Sequence, residues 1–429
     1  MILPRHLILL LLILPTLLLS ESAINCPNVP KQEIDSNLQQ YVVFLKPPNL
    51  LGAIGNLVEH VLLLVICLGR EIIPLKPGVG LFGNGPIDLN VIVDLSIAGT
   101  GFSIYTGFFN PDFVENVLKK RSDIDIIEPI IPTKADSVIP PYYINLKKRT
   151  TQTSAPYNLD RIDQKTFPLD GKYSYPTNAG SGSNVFVVDT GIDISNVEFE
   201  GRASFGGTFC GNCSSTDDHG HGTNVAGIIG GKRFGVAKKT KLIAIKVLNQ
   251  NGQGTSATLV AGLSYVISKH KNSSNKNTIV NLSISAPSSQ AINKIVTDAI
   301  NAGIHVVVSA GDAGQDACNF SPSSVSGVIA VGSTEKSSNT VSSFSNTGNC
   351  VTLYAPGRDI IAAGAGQSNA LSQASGTSQS CPHAAGTVAL IISKSGNKSP
   401  SSMKSSLVSL ATKGILNKNP NVFLRVPAP

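Results

Sequence analysis

A repeated exchange of short β-branched runs for helical stretches, across the second half of the chain, narrows the fold most. Residues 184–188, 242–248, 278–284, 304–309 and 328–332 are apolar runs with the length and composition of strands buried on both faces. Between them, residues 225–229, 256–269 and 288–302 carry helical patterning. Strands that hide both faces pair in parallel and are joined by helices that cross over the sheet, so this region predicts a doubly wound α/β domain. A last helix is expected to start with Ser399 as cap and Pro400 in the first turn, and to run to about Thr412.

The first part of the chain reads differently. Arg5 and His6, an apolar run over 7–19 and the small residues Ser20, Ser22 and Ala23 have the layout of a secretory signal peptide, assigned to residues 1–22. That run is too short to span a bilayer comfortably, and a second apolar stretch at 50–68 is broken by Asn56, Glu59 and His60. No membrane anchor is expected. Residues 40–132 fit a small α+β domain, with strands at 41–46, 91–97, 105–109 and 123–128 and a helix opened by Asp112 and Glu115. A Pro- and Tyr-rich bridge follows, carrying the tight basic group Lys147-Lys148-Arg149.

Composition excludes some classes of function. With 41% apolar and 14% charged residues the chain can bury a full core. Its net charge of +7 is scattered, without a basic block interleaved with aromatics, so a nucleic-acid partner is not expected. Seven cysteines in an exported chain permit disulfides and leave at least one thiol unpaired within a monomer. Cys210 and Cys213 have CxxC spacing without a second such pair, which argues against a zinc ribbon.

Three polar residues stand where an α/β fold exposes functional groups, at strand ends and helix starts. Asp189 ends the run Val185-Phe186-Val187-Val188, His221 lies in Gly220-His221-Gly222-Thr223, and Ser378 lies in Ser375-Gly376-Thr377-Ser378 ahead of Pro382, which is expected to open an apolar helix. Singly, such features are turns and caps. Together, in the order Asp, His, Ser, they supply a carboxylate to orient a base, the base, and a hydroxyl for it to activate. A Gly-x-Ser-x-Gly elbow fails, because position 380 is serine.

These motifs resemble those of subtilisin-family serine proteases, nearest in style to the proteinase K and cerevisin-like branch. The resemblance rests on Val188-Asp189-Thr190-Gly191-Ile192, on residues 220–227, and on Ser375-Gly376-Thr377-Ser378 with Pro382-His383. It implies a subtilisin-like parallel sheet with helices on both faces, preceded by a small α+β propeptide. The implied divisions are a signal peptide at 1–22, an inhibitory propeptide domain at 23–150 and a peptidase domain at 151–429. It also implies a secreted, monomeric endopeptidase that acts on proteins or peptides through Asp189, His221 and Ser378, with its own propeptide as intramolecular inhibitor and self-cleavage near residues 147–154. No cofactor is required, while a structural calcium ion is compatible with the family and no carboxylate motif locates one. Gly254, Ser283, Ile284 and Ser285 fall in segments similar to the family's substrate cleft. A disulfide between Cys318 and Cys350 is implied by the same likeness. Sequons at Asn212, Asn272, Asn319 and Asn397 permit glycosylation, whereas the one at Asn281 sits in the cleft strand.

The chain departs from the family pattern at Asp312, where an asparagine usually donates to the oxyanion. An ionised carboxylate has no hydrogen to give. Losing one such donor costs on the order of 10² to 10³ in turnover, a magnitude measured within this same family. A protonated Asp312 would restore the donor. Ser285 and Ala286 replace glycines of the specificity pocket, Asn224 a histidine, and Gln379-Ser380 the usual Met-Ala. Cys381 reads as a small buried hydrophobe and His219 as a surface side chain. A second reading, a catalytically weak homologue that only binds proteins in its cleft, has Asp312 as its best support and the complete Asp, His, Ser set against it.

Overall fold

The computed structural model describes residues 39–45, 103–109, 111–116, 118–136, 152, 154–211 and 213–429. The assigned signal peptide, the 50–68 and 91–97 stretches and Lys147-Lys148-Arg149 lie outside them. Two compact units are distinguished, and the described part of the second begins at Glu128.

In the first unit, β1 (Gln39–Leu45) pairs antiparallel with β2 (Ser103–Phe109), and a helical turn α1 (Pro111–Asn116) leads to β3 (Ile124–Pro129), in the sheet order β2-β1-β3. Tyr41, Val43 and Leu45 alternate along β1 and pack with Phe109, Val114, Leu118, Ile124 and Ile127. Period-two alternation puts such residues on one sheet face, and that face forms this small core.

The second unit opens with β4 (Pro132–Ala135) and α2 (Tyr157–Asp163), then enters its main sheet at β5 (Asn184–Asp189), β6 (Ala203–Thr208), α3 (His221–Gly230) and β7 (Lys241–Lys246). It continues through β8 (Gln253–Thr255), α4 (Ser256–Asn272), β9 (Thr278–Leu282), β10 (Ile284–Pro287), α5 (Gln290–Asn301) and β11 (His305–Ser309). After β12 (Phe320–Ser321), β13 (Ile329–Thr334), β14 (Leu353–Pro356) and the hairpin β15 (Ile360–Ala363) and β16 (Leu371–Ala374) come α6 (Thr377–Ser395) and α7 (Pro400–Leu410). Two short strands, β17 (Thr412–Lys413) and β18 (Val422–Phe423), complete it.

Nine strands form the main sheet in the order β17-β18-β14-β13-β11-β9-β5-β7-β6. Its body, from β14 to β6, is parallel, and consecutive residues of β5 after Asn184, of β9 and of β11 are all buried because helices cover both faces. The chain fills the β7 side of β5 first, then crosses to β9 and builds outward in the other direction. Such a reversal leaves a crevice at the carboxyl ends of the strands beside it, where α/β proteins place their functional groups. Asp189 is the last residue of β5.

Two helix starts differ from expectation. α3 begins four residues early, on His221 itself, and α6 begins at Thr377, so Pro382 lies inside it and does not open it. Proline lacks an N–H, so the carbonyl of residue 378 loses its helical partner. The Ser283 hydroxyl donates to that Ser378 carbonyl oxygen at 2.9 Å and fills the gap.

Candidate active site

The strand-end carboxylate and the helix-start imidazole meet directly. His221 Nδ1 donates to Asp189 Oδ1 at 2.6 Å, with both side chains fully buried. A carboxylate only accepts, so Nδ1 carries the proton and Nε2 keeps a lone pair. Nε2 has no hydrogen-bond partner. Burial opposes the imidazolium, but the Asp189 charge and hydrogen bond, joined by Asp217 and Asp136, outweigh it and raise the His221 pKa.

Local geometry explains the glycines around this histidine. Gly220 has φ 96°, a left-handed conformation that a Cβ disfavours. At Gly222 a Cβ would lie 2.1 Å from the Gly191 carbonyl oxygen, so no side chain fits where α3 meets the turn after β5. Asp217, unnoticed in the sequence, stitches that turn together. It accepts from Thr190 Oγ1 (2.8 Å), from the backbone N–H groups of His219 and Gly220 (3.1 and 2.8 Å), and from Thr223 N and Oγ1 (2.9 and 2.5 Å). Fully buried Lys246 donates to the Thr190 carbonyl (2.6 Å) and to Asp218 (2.7 Å), pinning the same turn from β7. A run of Asp-Asp-His ahead of Gly220-His221-Gly222 was the only signal for Asp217, and nothing local marked Lys246.

Ser378 sits in the first turn of α6, which packs along α3 and carries the positive end of its dipole there. Its hydroxyl donates to the Ser283 carbonyl at 3.0 Å, reciprocating the Ser283 bond. Asn281 Nδ2 in turn donates to Ser283 Oγ at 3.0 Å. Cys381, one turn on, is buried with its thiol toward Asn281 Oδ1, and burial pushes its pKa up, so it is the inert hydrophobe expected. His383 is neutral: burial pulls its pKa down to about 4, Nδ1 donates to the Gln379 carbonyl, and Nε2 accepts from Asn158. The two departures Asn224 and Gln379 touch each other, Gln379 Nε2 donating to Asn224 Oδ1 at 3.4 Å, while Asn224 Nδ2 donates to Ser372.

Asp312 follows β11 across Ala310 and Gly311, whose φ is 99°. Asn346, also missed in the sequence, holds this loop: its amide donates to the Ala310 carbonyl, and its oxygen accepts from Ala313 and Gln315 N–H. Thr377 N donates to Asp312 Oδ1 at 2.8 Å. Some of Asp312 remains accessible, yet surrounding protein desolvates its carboxyl and the Asp136 charge adds to that, pushing its pKa up to about 8. That shift favours the neutral carboxylic acid, the form that can donate.

The cleft residues converge on β4. That strand runs antiparallel to β8 on one side, with Thr133 opposite Gly254, and to β10 on the other, with Lys134 opposite Ser285 and Ala135 opposite Ile284. Ala135 N donates to the Gly252 carbonyl at 3.1 Å. The strand ends at Asp136, whose carboxyl oxygens accept from the hydroxyls of Ser285 and Ser309. The sequence placed residues 132–136 in a linker; in the structure they belong to the second unit.

Cys318 and Cys350 form a disulfide, as do Cys210 and Cys213. Asn272 and Asn319 are exposed; Asn397 is exposed but engaged through His305 and the Lys276 carbonyl, and Asn212 lies outside the described residues. His219 is not a free surface side chain: it is half-buried and meets His221 edge-on at 6.3 Å. Among the described residues no group of three or more His, Cys, Asp or Glu is placed to hold a metal, and no helix is long and apolar enough to cross a membrane.

This arrangement has close counterparts. An extracellular serine proteinase of Thermus sp. (strain Rt41A) is 42% identical over 281 residues, covering 64% of this chain and 67% of that protein. The subtilisin-like serine protease pepC of Aspergillus niger is 34% identical over 364 residues, covering 80% and 66%. The chain thus spans about two thirds of the length of these curated relatives. The crystal structure of a cold-adapted subtilisin-like serine proteinase superposes with a TM-score of 0.61 at 36% identity, over 64% of this chain and all of that one. The subtilase family profile matches residues 180–425. The chain belongs to the subtilase family of serine endopeptidases.

Proposed function

We propose that this chain hydrolyses peptide bonds through an acyl-enzyme, with Asp189, His221 and Ser378 as its triad, and that it is exported as a precursor whose own segment fills the cleft until self-cleavage. The observation that carries this reading is the buried Asp189–His221 bond beside a cleft already occupied by a strand-like peptide. An extended substrate pairs between β8 and β10. Ser378 Oγ leaves the Ser283 carbonyl, passes its proton to His221 Nε2 and attacks the scissile carbonyl. The Ser378 N–H at the start of α6 and the neutral Asp312 carboxyl stabilise the oxyanion. His221 then protonates the departing amine, and water repeats the cycle on the ester. Asp189 keeps the imidazole in its tautomer and stabilises its cation. No cofactor enters these steps, and one chain supplies every group. The signal-like residues 1–22 and the extracellular naming of the Thermus relative support export.

Expressing the full chain beside Ser378→Ala tests this reading. Wild type should convert to a smaller form, and the variant should remain full length with turnover lower by about 10⁶, the loss seen for this nucleophile in a subtilisin. Equal maturation of both would remove self-processing. A wild type that neither turns over peptides nor reacts with a serine-directed reagent would leave only a peptide-binding homologue.

A further inference from the structure

We infer that the pocket beside the nucleophile selects aspartate, so that the enzyme cuts after acidic residues and makes its own first cut between Asp136 and Ser137. This rests on the endopeptidase reading above and specifies its substrate.

Position comes first. A Cβ built on Gly376 would lie 3.0 Å from the Asp136 carbonyl oxygen and 2.6 Å from Asp312 Oδ2. The Asp136 carbonyl oxygen thus lies against Gly376, two residues before Ser378, on the side that the Asp312 carboxyl also faces. Register agrees, because β4 reaches Ala135 opposite Ile284 and Asp136 is the next residue. Attack here joins Ser378 Oγ to the Asp136 carbonyl carbon and breaks the bond to Ser137 nitrogen, which takes its proton from His221. Water then splits the ester, leaving a new carboxyl on Asp136.

Pocket chemistry comes second. The Asp136 side chain is buried, at 7% exposure, and each of its oxygens is met by a different hydroxyl, Ser285 from β10 and Ser309 from the end of β11. Ser285 stands where the family pattern has glycine, so this hydroxyl is an addition to the wall. An apolar side chain would bury both hydroxyls without acceptors, and sites built to hydrogen-bond a group reject analogues that lack it. A lysine or arginine would have to push past hydroxyls set to reach a short side chain. The groups facing the Asp136 carboxyl are these serines, with Asp312, His221 and Lys134 acting through their charges. Burial raises its pKa, and paired hydroxyls serve the acid form as well as the anion.

Two readouts test this. Mass spectrometry of the matured full chain should find a released fragment ending at Asp136, absent in Ser378→Ala; a first cut among residues 147–154 would overturn the assignment. Mature enzyme should then be given Pro-Thr-Lys-Ala-Xaa anilides with Asp, Leu, Phe or Lys at the last position. We expect kcat/KM for Asp to exceed each other by at least about 10-fold, and the double change Ser285→Gly with Ser309→Ala to move the Asp-to-Leu ratio toward Leu by a similar factor. Equal or better cleavage after Leu, Phe or Lys by wild type overturns the inference even if the double variant does not fold. If wild type is labelled by a serine-directed reagent and cleaves these other peptides, only the pocket assignment has failed. If it is neither labelled nor active, the endopeptidase reading has failed with it.

Discussion

On the proposed mechanism, Asp312 ties catalytic rate to pH through a single proton. Its neutral form donates to the oxyanion and its ionised form repels it, so activity is present below its pKa and is lost as pH rises through it. With Asp136 in the cleft that value is about 8, and it is lower when the cleft holds no acidic residue, because the Asp136 charge is part of what raises it. His221 acts in the opposite sense, needing to lose its proton before it can act as base. Together they predict a bell in kcat/KM for the mature enzyme. Asp312→Asn donates at every pH, so its profile should keep the acid limb and lose the alkaline one, with turnover above the limb higher by up to about 10². Rates measured on one uncharged peptide across the range check this, and an unchanged alkaline limb would remove Asp312 from the oxyanion site. The residue itself was legible in the sequence as a departure from the expected asparagine. Its protonation could be named there only as a condition, since it depends first on how far folding desolvates the carboxyl and then on Asp136, far away in the chain.

At the scale of elements, α6 shows how a local signal misleads. Pro382 reads as a first-turn proline, yet the helix starts five residues earlier at Thr377 because Ser283, from the β9–β10 junction, supplies the bond that proline withholds. No periodicity within α6 encodes a donor that is 95 residues away. Removing it by Ser283→Ala leaves a buried carbonyl unsatisfied, which should cost about 1–3 kcal/mol of stability. Urea unfolding in a Ser378→Ala background, which prevents self-digestion, measures it; a loss well under 1 kcal/mol would mean another donor takes over. The same logic separates what else was read. The parallel strands β5, β7, β9, β11 and β13 and the helices α4, α5 and α7 followed from repeating patterns and caps, with Ser399 and Pro400 at the start of α7, whereas the parallel strands β6 and β14 were not read. The short strand β4, with a proline at its head, carries no pattern of its own. Its place comes from its neighbours.

For the molecule as a whole, the Cys318–Cys350 bridge ties the segment after β11 to the approach to β14. Its sequence separation of 32 puts the closed-loop contribution at ~3–4 kcal/mol on the chain-entropy model. Cys318→Ser with Cys350→Ser should therefore lower thermal stability by several degrees while the Asp189–His221 pair stays intact; an unchanged melting temperature would make the bridge incidental. A subtler effect follows from the antiparallel seat of β4 between β8 and β10. If maturation releases that strand as proposed, the inner borders of Gln253–Thr255 and Ile284–Pro287 open to water. Deuterium uptake at the amides there should be slow in the precursor and quicken on maturation, ahead of any change in the parallel sheet. On the proposed reading, a slot one strand wide should also sort substrates by shape: helices and folded sheets cannot enter, so unfolded tails and loops should be cut while compact proteins pass untouched.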